Sequence, residues 1–170
     1  RSGSRAVLAS VPGKTRPDGA IVYTAHWDDL GTLADEPGDN IYNGAIDNSG
    51  GVALLLEIAK AFRALKNKPE RTVVFLAVTA EEQGLWGSAY YSQNPVYPID
   101  KTVANINMDF TNTSGKMKDI TVTGKGQSDL ENILGEHVFD IKRSLIVECR
   151  AILWEYHCNP YFDEEYSVYC

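Results

Sequence analysis

The sequence lacks several features that would each have indicated a particular class of protein. No apolar run approaches the roughly 20 residues needed to cross a bilayer, so we expect no transmembrane helix. Basic residues are in the minority, with 16 Lys and Arg against 23 Asp and Glu, and a net charge of −7 argues against nucleic acid as a partner. The 170 residues have a globular composition without repeats, which predicts a single folded domain over residues 1–170.

Cysteine is scarce, and no leader peptide precedes the first apolar segment. The three cysteines lie near the end of the sequence, at Cys149, Cys158 and Cys170, and an odd number leaves at least one unpaired within a monomer. The sequence begins at Arg1, and the basic, apolar and small-residue pattern of a signal peptide does not follow it. The sequence is therefore expected to be an excised or processed segment.

Strand-like patterns recur along the sequence. Short apolar, β-branched runs predict strands at residues 6–11, 20–25, 71–79, 103–108 and 120–123. The first two are expected to pair with each other, with turn-like residues at Pro17-Asp18-Gly19 before the second. The run at 71–79 is apolar almost throughout, which is typical of a strand buried on both faces, so we expect it at the centre of the sheet.

Helices are predicted between these strands. A long helix is indicated by apolar residues at three- and four-residue spacing, and its members are Leu55, Ile58, Phe62 and Leu65. Either Asn48 or Ser49 can cap that helix. Further helices are predicted at residues 85–92 and from Ser128 onwards. The alternation predicts an α/β fold, a three-layer sandwich in which a mixed, mostly parallel sheet lies between helices.

Each of the three best-defined strands leads into a side chain that can bind a metal ion. His26 follows the second predicted strand, Glu81 and Glu82 follow the central one, and Asp109 follows the next. Because ligands collect at the carboxyl ends of strands in open α/β sheets, we expect these side chains at one edge. Asp47 lies in G-A-I-D-N-S-G-G just before a helix cap, where small residues let the backbone approach an ion.

A cluster of carboxylates around an imidazole indicates a cation. Without one, like charges in a half-buried site repel each other at a cost of several kcal/mol. Nitrogen and oxygen ligands without a thiolate suit Zn²⁺, Mn²⁺ or Co²⁺, and a shared carboxylate, for which Asp47 is the candidate, would produce a two-metal site. Asp28 is placed to accept the second N–H of His26. Of Glu81 and Glu82, one would bind metal and the other would act as general base.

Each of these residues has a simpler interpretation when taken alone. His26 would be a half-buried histidine, Glu81 and Glu82 a solvated loop pair, and Asp47 a helix-cap or turn residue. Solvated surface residues would rarely occur by chance at three strand ends and at one helix start. We therefore adopt the shared metal site as the prediction.

Four ordered motifs resemble one known family. They are A-H-W-D-D-L-G, N-G-A-I-D-N-S-G-G-V-A-L-L-L-E-I-A, R-T-V-V-F-L-A-V-T-A-E-E-Q-G-L-W-G-S and N-I-N-M-D. The sequence resembles the zinc-dependent aminopeptidases that include bacterial leucyl aminopeptidases and are related to glutamate carboxypeptidase and the transferrin receptor. The resemblance covers residues 6–138, and residues 139–170 form an unassigned tail. It implies a phosphorylase/hydrolase-like zinc exopeptidase fold and a secreted or periplasmic location.

The resemblance implies a metal ligand set. His26 and Asp109 would bind one zinc ion, Glu82 would bind a second, and Asp47 would bridge the two. The family's last zinc ligand is a His in an S-D-H motif, and that motif does not occur in this sequence. His157 could replace it or be an unrelated histidine of the tail. Truncation, a reading-frame change or divergence would each give this pattern, and the fold is expected to be incomplete at its C-terminus.

The resemblance also implies a reaction. Glu81 would be the general acid and base, Asp28 would orient His26, and water activated by two zinc ions would release N-terminal amino acids from peptide substrates. Two alternatives follow from the missing motif. One is a peptidase-like binding domain without a complete metal centre, and the other is a single-zinc enzyme similar to glutaminyl cyclases.

Overall fold

The computed structural model describes residues 3–33, 37–109, 119–123, 129–140, 144–148 and 168–169. The elements in chain order are β1 (Val7–Val11), β2 (Arg16–His26), α1 (Ser49–Ala64), β3 (Arg71–Val78), α2 (Trp86–Gln93), β4 (Thr102–Asn107), β5 (Asp119–Thr123), α3 (Leu130–Asp140), β6 (Ser144–Glu148) and β7 (Val168–Tyr169), with a 3₁₀ turn at Ile99–Lys101 before β4. Within these ranges, every helix is too short or too polar to span a membrane.

The first four strands form one mixed sheet in the order β1-β3-β2-β4. β2 runs parallel to both β3 and β4, whereas β1 runs antiparallel to β3. A second sheet has the order β6-β5-β7, in which β5 is parallel to β6 and antiparallel to β7. The predicted α/β class with a mixed sheet is confirmed, and β3 is an inner strand as expected.

The predicted partner of β1 is wrong. Residues 7–11 pair with β3, from Val7 opposite Ala77 to Val11 opposite Val73, and not with the strand that follows them in sequence. β3 is apolar on both faces and offers hydrogen-bonding groups along both edges, so β2 occupies one edge and β1 the other. The link between β1 and β2 crosses the start of β3, where the Lys14 N–H donates to the carbonyl of Pro69 at 2.8 Å.

The predicted turn at Pro17-Asp18-Gly19 is also absent, because these residues lie within β2. The ladder with β3 is irregular there, and its register shifts between Arg16 and Ala20. Proline has no N–H to donate and glycine is weak in strand interiors, so both are tolerated where a ladder is interrupted. The Thr72 hydroxyl donates to the carbonyl of Pro17 at 2.7 Å and holds this segment against β3.

The core lies on both faces of the sheet. On β3, Val74 and Leu76 face a cluster that includes Tyr91 of α2, whereas Val73 and Phe75 belong to a second cluster. The second cluster contains Leu55 and other apolar residues of α1. Helices therefore cover opposite faces of the sheet, which agrees with the predicted layers.

The apolar stripe of α1 ends at Phe62, three residues earlier than predicted. Leu55 is buried, and Ile58 and Phe62 pack against the same cluster. Leu65 is 51% exposed and lies at the C-cap with extended dihedral angles, so its assignment to the stripe is wrong. The helix ends at Ala64, and the periodic pattern alone does not mark that point.

Candidate metal centre

Three neighbouring parallel strands end at the same edge of the sheet. His26 is the last residue of β2 and lies opposite Val78, the last residue of β3. β4 ends at Asn107, and the next residue, Met108, continues the ladder by donating its N–H to the carbonyl of Thr24 at 2.9 Å. The residues that follow β3 and β4 therefore emerge beside the imidazole of His26.

The imidazole of His26 is the centre of a cluster of acids. Its Nε2 lies 3.0 Å from Oδ1 of Asp47 and 3.4 Å from Oδ1 of Asp109, and its side chain is only 2% exposed. Ligand atoms of these three residues lie within 4.8 Å of one another. The same holds for His26 with Glu81 and Glu82, so two potential ligand groups share one histidine.

Asp47 reaches the cluster from the N-terminus of α1. Asn48 is the N-cap, and its Oδ1 accepts the N–H of Gly51 at 2.9 Å. The N–H of Ser49 donates to the carbonyl of Gly44 at 2.8 Å and closes the preceding turn. The peptide bond between Asp47 and Asn48 is cis. The carboxylate of Asp47 combines one buried oxygen with a side chain that is 46% exposed, so it faces both His26 and solvent.

Glu81 and Glu82 follow a sharp change of direction after β3. Ala80 has a φ of 56°, in the left-handed region that non-glycine residues rarely adopt, and such backbone strain is typical of functional sites. The start of α2 packs closely here, since a Cβ on Gly87 would lie 2.7 Å from the nitrogen of Thr79 and closer still to its oxygen. The start of α2 is therefore packed directly against the residue that leads into the turn with the two glutamates, and both glutamates are half-buried.

Asp28 contacts His26 differently from the prediction. Nδ1 of His26 lies 3.2 Å from the main-chain carbonyl of Asp28, whereas the nearest carboxylate oxygen is 3.8 Å away. The carboxylate instead accepts the N–H groups of Glu81 at 3.1 Å and of Glu82 at 3.2 Å, one on each oxygen. Asp28 thus joins the end of β2 to the turn that carries both glutamates.

The acids and the imidazole change one another's proton affinity. Burial lowers the pKa of His26, but the neighbouring carboxylates of Asp109, Glu81 and Asp47 outweigh it and raise that pKa to about 9. Burial is the main reason that the pKa of Glu81 rises to about 7, with further increases from Asp109, Glu82 and Asp47 and a decrease from His26. Burial and the charge of Asp47 also raise the pKa of Glu82.

The residues present fit a divalent cation such as zinc. Oδ1 of Asp47 and Oδ1 of Asp109 are buried, and neither has a hydrogen-bonding partner within the described part of the chain. Buried carboxylate oxygens are normally hydrogen-bonded or bound to metal. Both oxygens face the Nε2 of His26, and a set of nitrogen and oxygen donors without sulfur suits Zn²⁺.

One predicted ligand and one overlooked residue remain. His157 lies outside the described residues. His137 is described, and it belongs to neither of the potential ligand groups found among those residues.

The sequence identified Asn48 only as a possible helix cap, yet its side-chain amide also donates to the carbonyl of Met108 at 3.0 Å. Its position beside Asp47 was the signal that could have indicated this second hydrogen bond. An asparagine that is buried next to a metal ligand needs a partner for its side-chain N–H₂ group as well as for its oxygen.

Several known proteins with similar sequences or structures are named zinc metalloproteases or aminopeptidases. A probable zinc metalloprotease of Pyricularia oryzae is 40% identical over 92 residues, which is 51% of this chain and 17% of that protein. Aminopeptidase NAALADL1 of Mus musculus is 33% identical over 110 residues, covering 62% of this chain and 13% of that protein. The zinc aminopeptidase BSAP of Bacillus subtilis matches with a TM-score of 0.59 and 25% identity, over 84% of this chain and 34% of that one.

The chain spans about a third or less of each of these three relatives. Residues 6–149, most of the chain, match the model of Peptidase family M28. That range includes the ends of β2, β3 and β4 and the start of α1, from which the clustered acids and His26 extend. The chain therefore belongs to Peptidase family M28, and the resemblance to zinc aminopeptidases inferred from its motifs is confirmed.

Proposed function

We propose that this chain provides the catalytic centre of a co-catalytic dizinc exopeptidase that releases N-terminal amino acids from peptides. The observation that carries the proposal is the convergence of His26, Asp47 and Asp109 on one point, with Glu81 and Glu82 beside it. Membership of Peptidase family M28 and similarity to proteins named aminopeptidases support the reaction class.

The ligand roles are those that the resemblance to zinc aminopeptidases implies, and the two potential ligand groups that share His26 contain all of the residues concerned. In this proposal His26 and Asp109 would hold one zinc ion, Glu82 would hold the second, and Asp47 would serve both. One oxygen of Asp47 is buried against His26 while the rest of the carboxylate is open, which suits a bridging position. When bound, zinc supplies Lewis acidity that polarises the scissile carbonyl and lowers the pKa of water.

Glu81 is the proposed general base and acid. Its carboxylate lies 3.9 Å from Nε2 of His26, within the potential ligand group that also contains Glu82, and its side chain is 28% exposed. A base works best when its pKa lies near the working pH, and burial raises the pKa of Glu81 to about 7. The carboxylate takes a proton from the attacking water and passes it to the amine that leaves as the peptide bond breaks.

The reaction is tested with Glu81→Gln, which keeps the shape of the side chain and removes its basicity. We expect zinc-dependent hydrolysis of aminoacyl reporter substrates to fall by roughly 10²–10⁴-fold while zinc content stays unchanged. Glu57→Gln makes the same chemical change on the exposed surface of α1, where Glu57 pairs with Lys60, and should leave the rate unaltered. Full activity of Glu81→Gln would refute the assigned role.

Metal content separates the proposal from its two alternatives. Within the described residues, Glu82 has no histidine other than His26 in its ligand group. Two zinc ions per purified chain would support the dizinc enzyme and would require a further ligand, for which His157 is the candidate. One ion together with cyclisation of N-terminal glutamine would support the single-zinc cyclase, and no bound zinc would support the binding domain.

A further inference from the structure

Asn48 connects the two segments that carry Asp47 and Asp109. Its side chain is 2% exposed, and both ends of the amide are used. Oδ1 accepts the N–H of Gly51 at 2.9 Å within α1, and Nδ2 donates to the carbonyl of Met108 at 3.0 Å beyond the end of β4. The bonded residues are direct neighbours of the acids in sequence, since Asn48 follows Asp47 and Met108 precedes Asp109.

We infer that Asn48 is a positioning residue that fixes the distance between the carboxylates of Asp47 and Asp109. This inference rests on the proposed function, because it assigns to Asn48 the spacing of the proposed zinc ligands. A helix cap needs only an oxygen acceptor, which serine, threonine or aspartate would also provide. The donor to Met108 is a separate feature that capping does not require, and it ties α1 to the end of β4.

The packing around this amide leaves little freedom for it to move. A Cβ on Gly51 would lie 2.5 Å from the oxygen of Met108 and closer still to Oδ1 of Asn48. Helix α1 therefore approaches β4 closely only because residue 51 has no side chain. Glycine at this position and asparagine at the cap together hold α1 against the end of the strand, so displacing either one moves Asp47 relative to Asp109.

Asn48→Ser tests the inference, because serine keeps a capping oxygen and loses the donor to Met108. We expect zinc affinity, measured by competition with a chelating dye, to fall by roughly 10–100-fold, as is typical when a group that orients metal ligands is lost. The visible spectrum of the Co²⁺-substituted protein should change as well. In Gly51→Ala the added methyl group collides with the side chain of Asn48 and the carbonyl of Met108, so this variant should also bind zinc more weakly.

Thr72→Val is the matched control. Thr72 is also a buried polar residue with two hydrogen bonds, since its hydroxyl accepts the N–H of Gly13 at 3.1 Å and donates to Pro17. It lies near the start of β3, at the opposite end of the strand from the metal centre. The control should lower the stability of the fold while leaving zinc affinity and the cobalt spectrum as in the wild type.

The outcomes distinguish the inference from the proposed function. Wild-type zinc affinity and an unchanged cobalt spectrum in Asn48→Ser would overturn the inference, as would an equal loss of affinity in Thr72→Val. A wild-type protein that binds zinc but hydrolyses no peptide would overturn the proposed function alone, and weaker zinc binding in Asn48→Ser would still support the inference. A wild-type protein that binds no zinc would overturn both.

Discussion

In the absence of a cation, bound protons reduce the negative charge of the clustered carboxylates. The acids raise the pKa of His26 to about 9, and burial, reinforced by neighbouring acids, raises that of Glu81 to about 7. A group whose pKa is higher in the folded state stabilises the fold at low pH and loses that contribution as the pH rises through its folded pKa. The contribution of Glu81 is therefore lost around pH 7, and that of His26 around pH 9.

This linkage predicts how the melting temperature responds to pH. The Tm of the zinc-free protein should fall as the pH rises from about 5 to about 9, because both groups then release their protons. The zinc-loaded protein should show a smaller decrease, since the cation replaces the protons that stabilised the cluster. Thermal melts with and without chelator measure the difference. A zinc-free Tm that rises over this range would contradict the assignment.

Some site residues could be identified from sequence and others could not. His26, Glu81 and Asp109 each follow an apolar run closely, so their shared edge is predictable once the strands are parallel. The carboxylate of Asp28 is different, because it accepts N–H groups from Glu81 and Glu82, more than 50 positions away in the chain. Because Asp28 is close to His26 in sequence, the imidazole was the expected partner of its carboxylate. The N–H groups of Glu81 and Glu82 come close to that carboxylate only in the folded protein.

Helix α2 and the end of β3 meet with almost no space between them. Gly87→Ala should destabilise the fold by about 1–3 kcal/mol, because the added methyl group collides with the main chain of Thr79. The same displacement should reduce the proposed peptidase activity, since Thr79 and Ala80 lead directly into Glu81. Urea denaturation and activity assays measure the two effects.

Gly3→Ala is the control for this substitution, because a Cβ on Gly3 would meet no atom within 4 Å. It should leave both stability and activity near the wild-type values. Equal effects of the two substitutions would show that Gly87 is not specially constrained.

The errors at the level of elements have a common physical cause. The apolar run of β1 indicates a strand, but strand pairing is decided by which edge is free in the assembled sheet. Pro17 and Gly19 are ordinary turn residues, yet the interrupted ladder at the start of β2 accommodates them. Leu65 continues the spacing of α1 after the helix has ended. Local patterns therefore predicted the type of most elements, while pairing and end points depended on distant contacts.

The stability of the whole molecule should depend on the inner strands of the first sheet. Leu76 on β3 is 1% exposed, and Leu76→Ala should lower the free energy of unfolding by about 2–5 kcal/mol through lost burial and the cavity that remains. Leu56→Ala removes the same atoms from a position that is 64% exposed and should change it by less than about 0.5 kcal/mol. Chemical denaturation compares the two, and similar effects would contradict the core described above.

The parallel register of β2, β3 and β4 has a consequence for how such a protein can diversify. Neighbouring strands in any sheet are separated by roughly 4.7–4.9 Å, so backbones that end side by side inherit that separation from main-chain hydrogen bonding. The spacing between the ends of β2, β3 and β4, and so between His26 and the residues that follow β3 and β4, therefore depends little on changes elsewhere on the surface. Loops at the surface can therefore change in sequence or length while the strand ends beneath them keep their spacing.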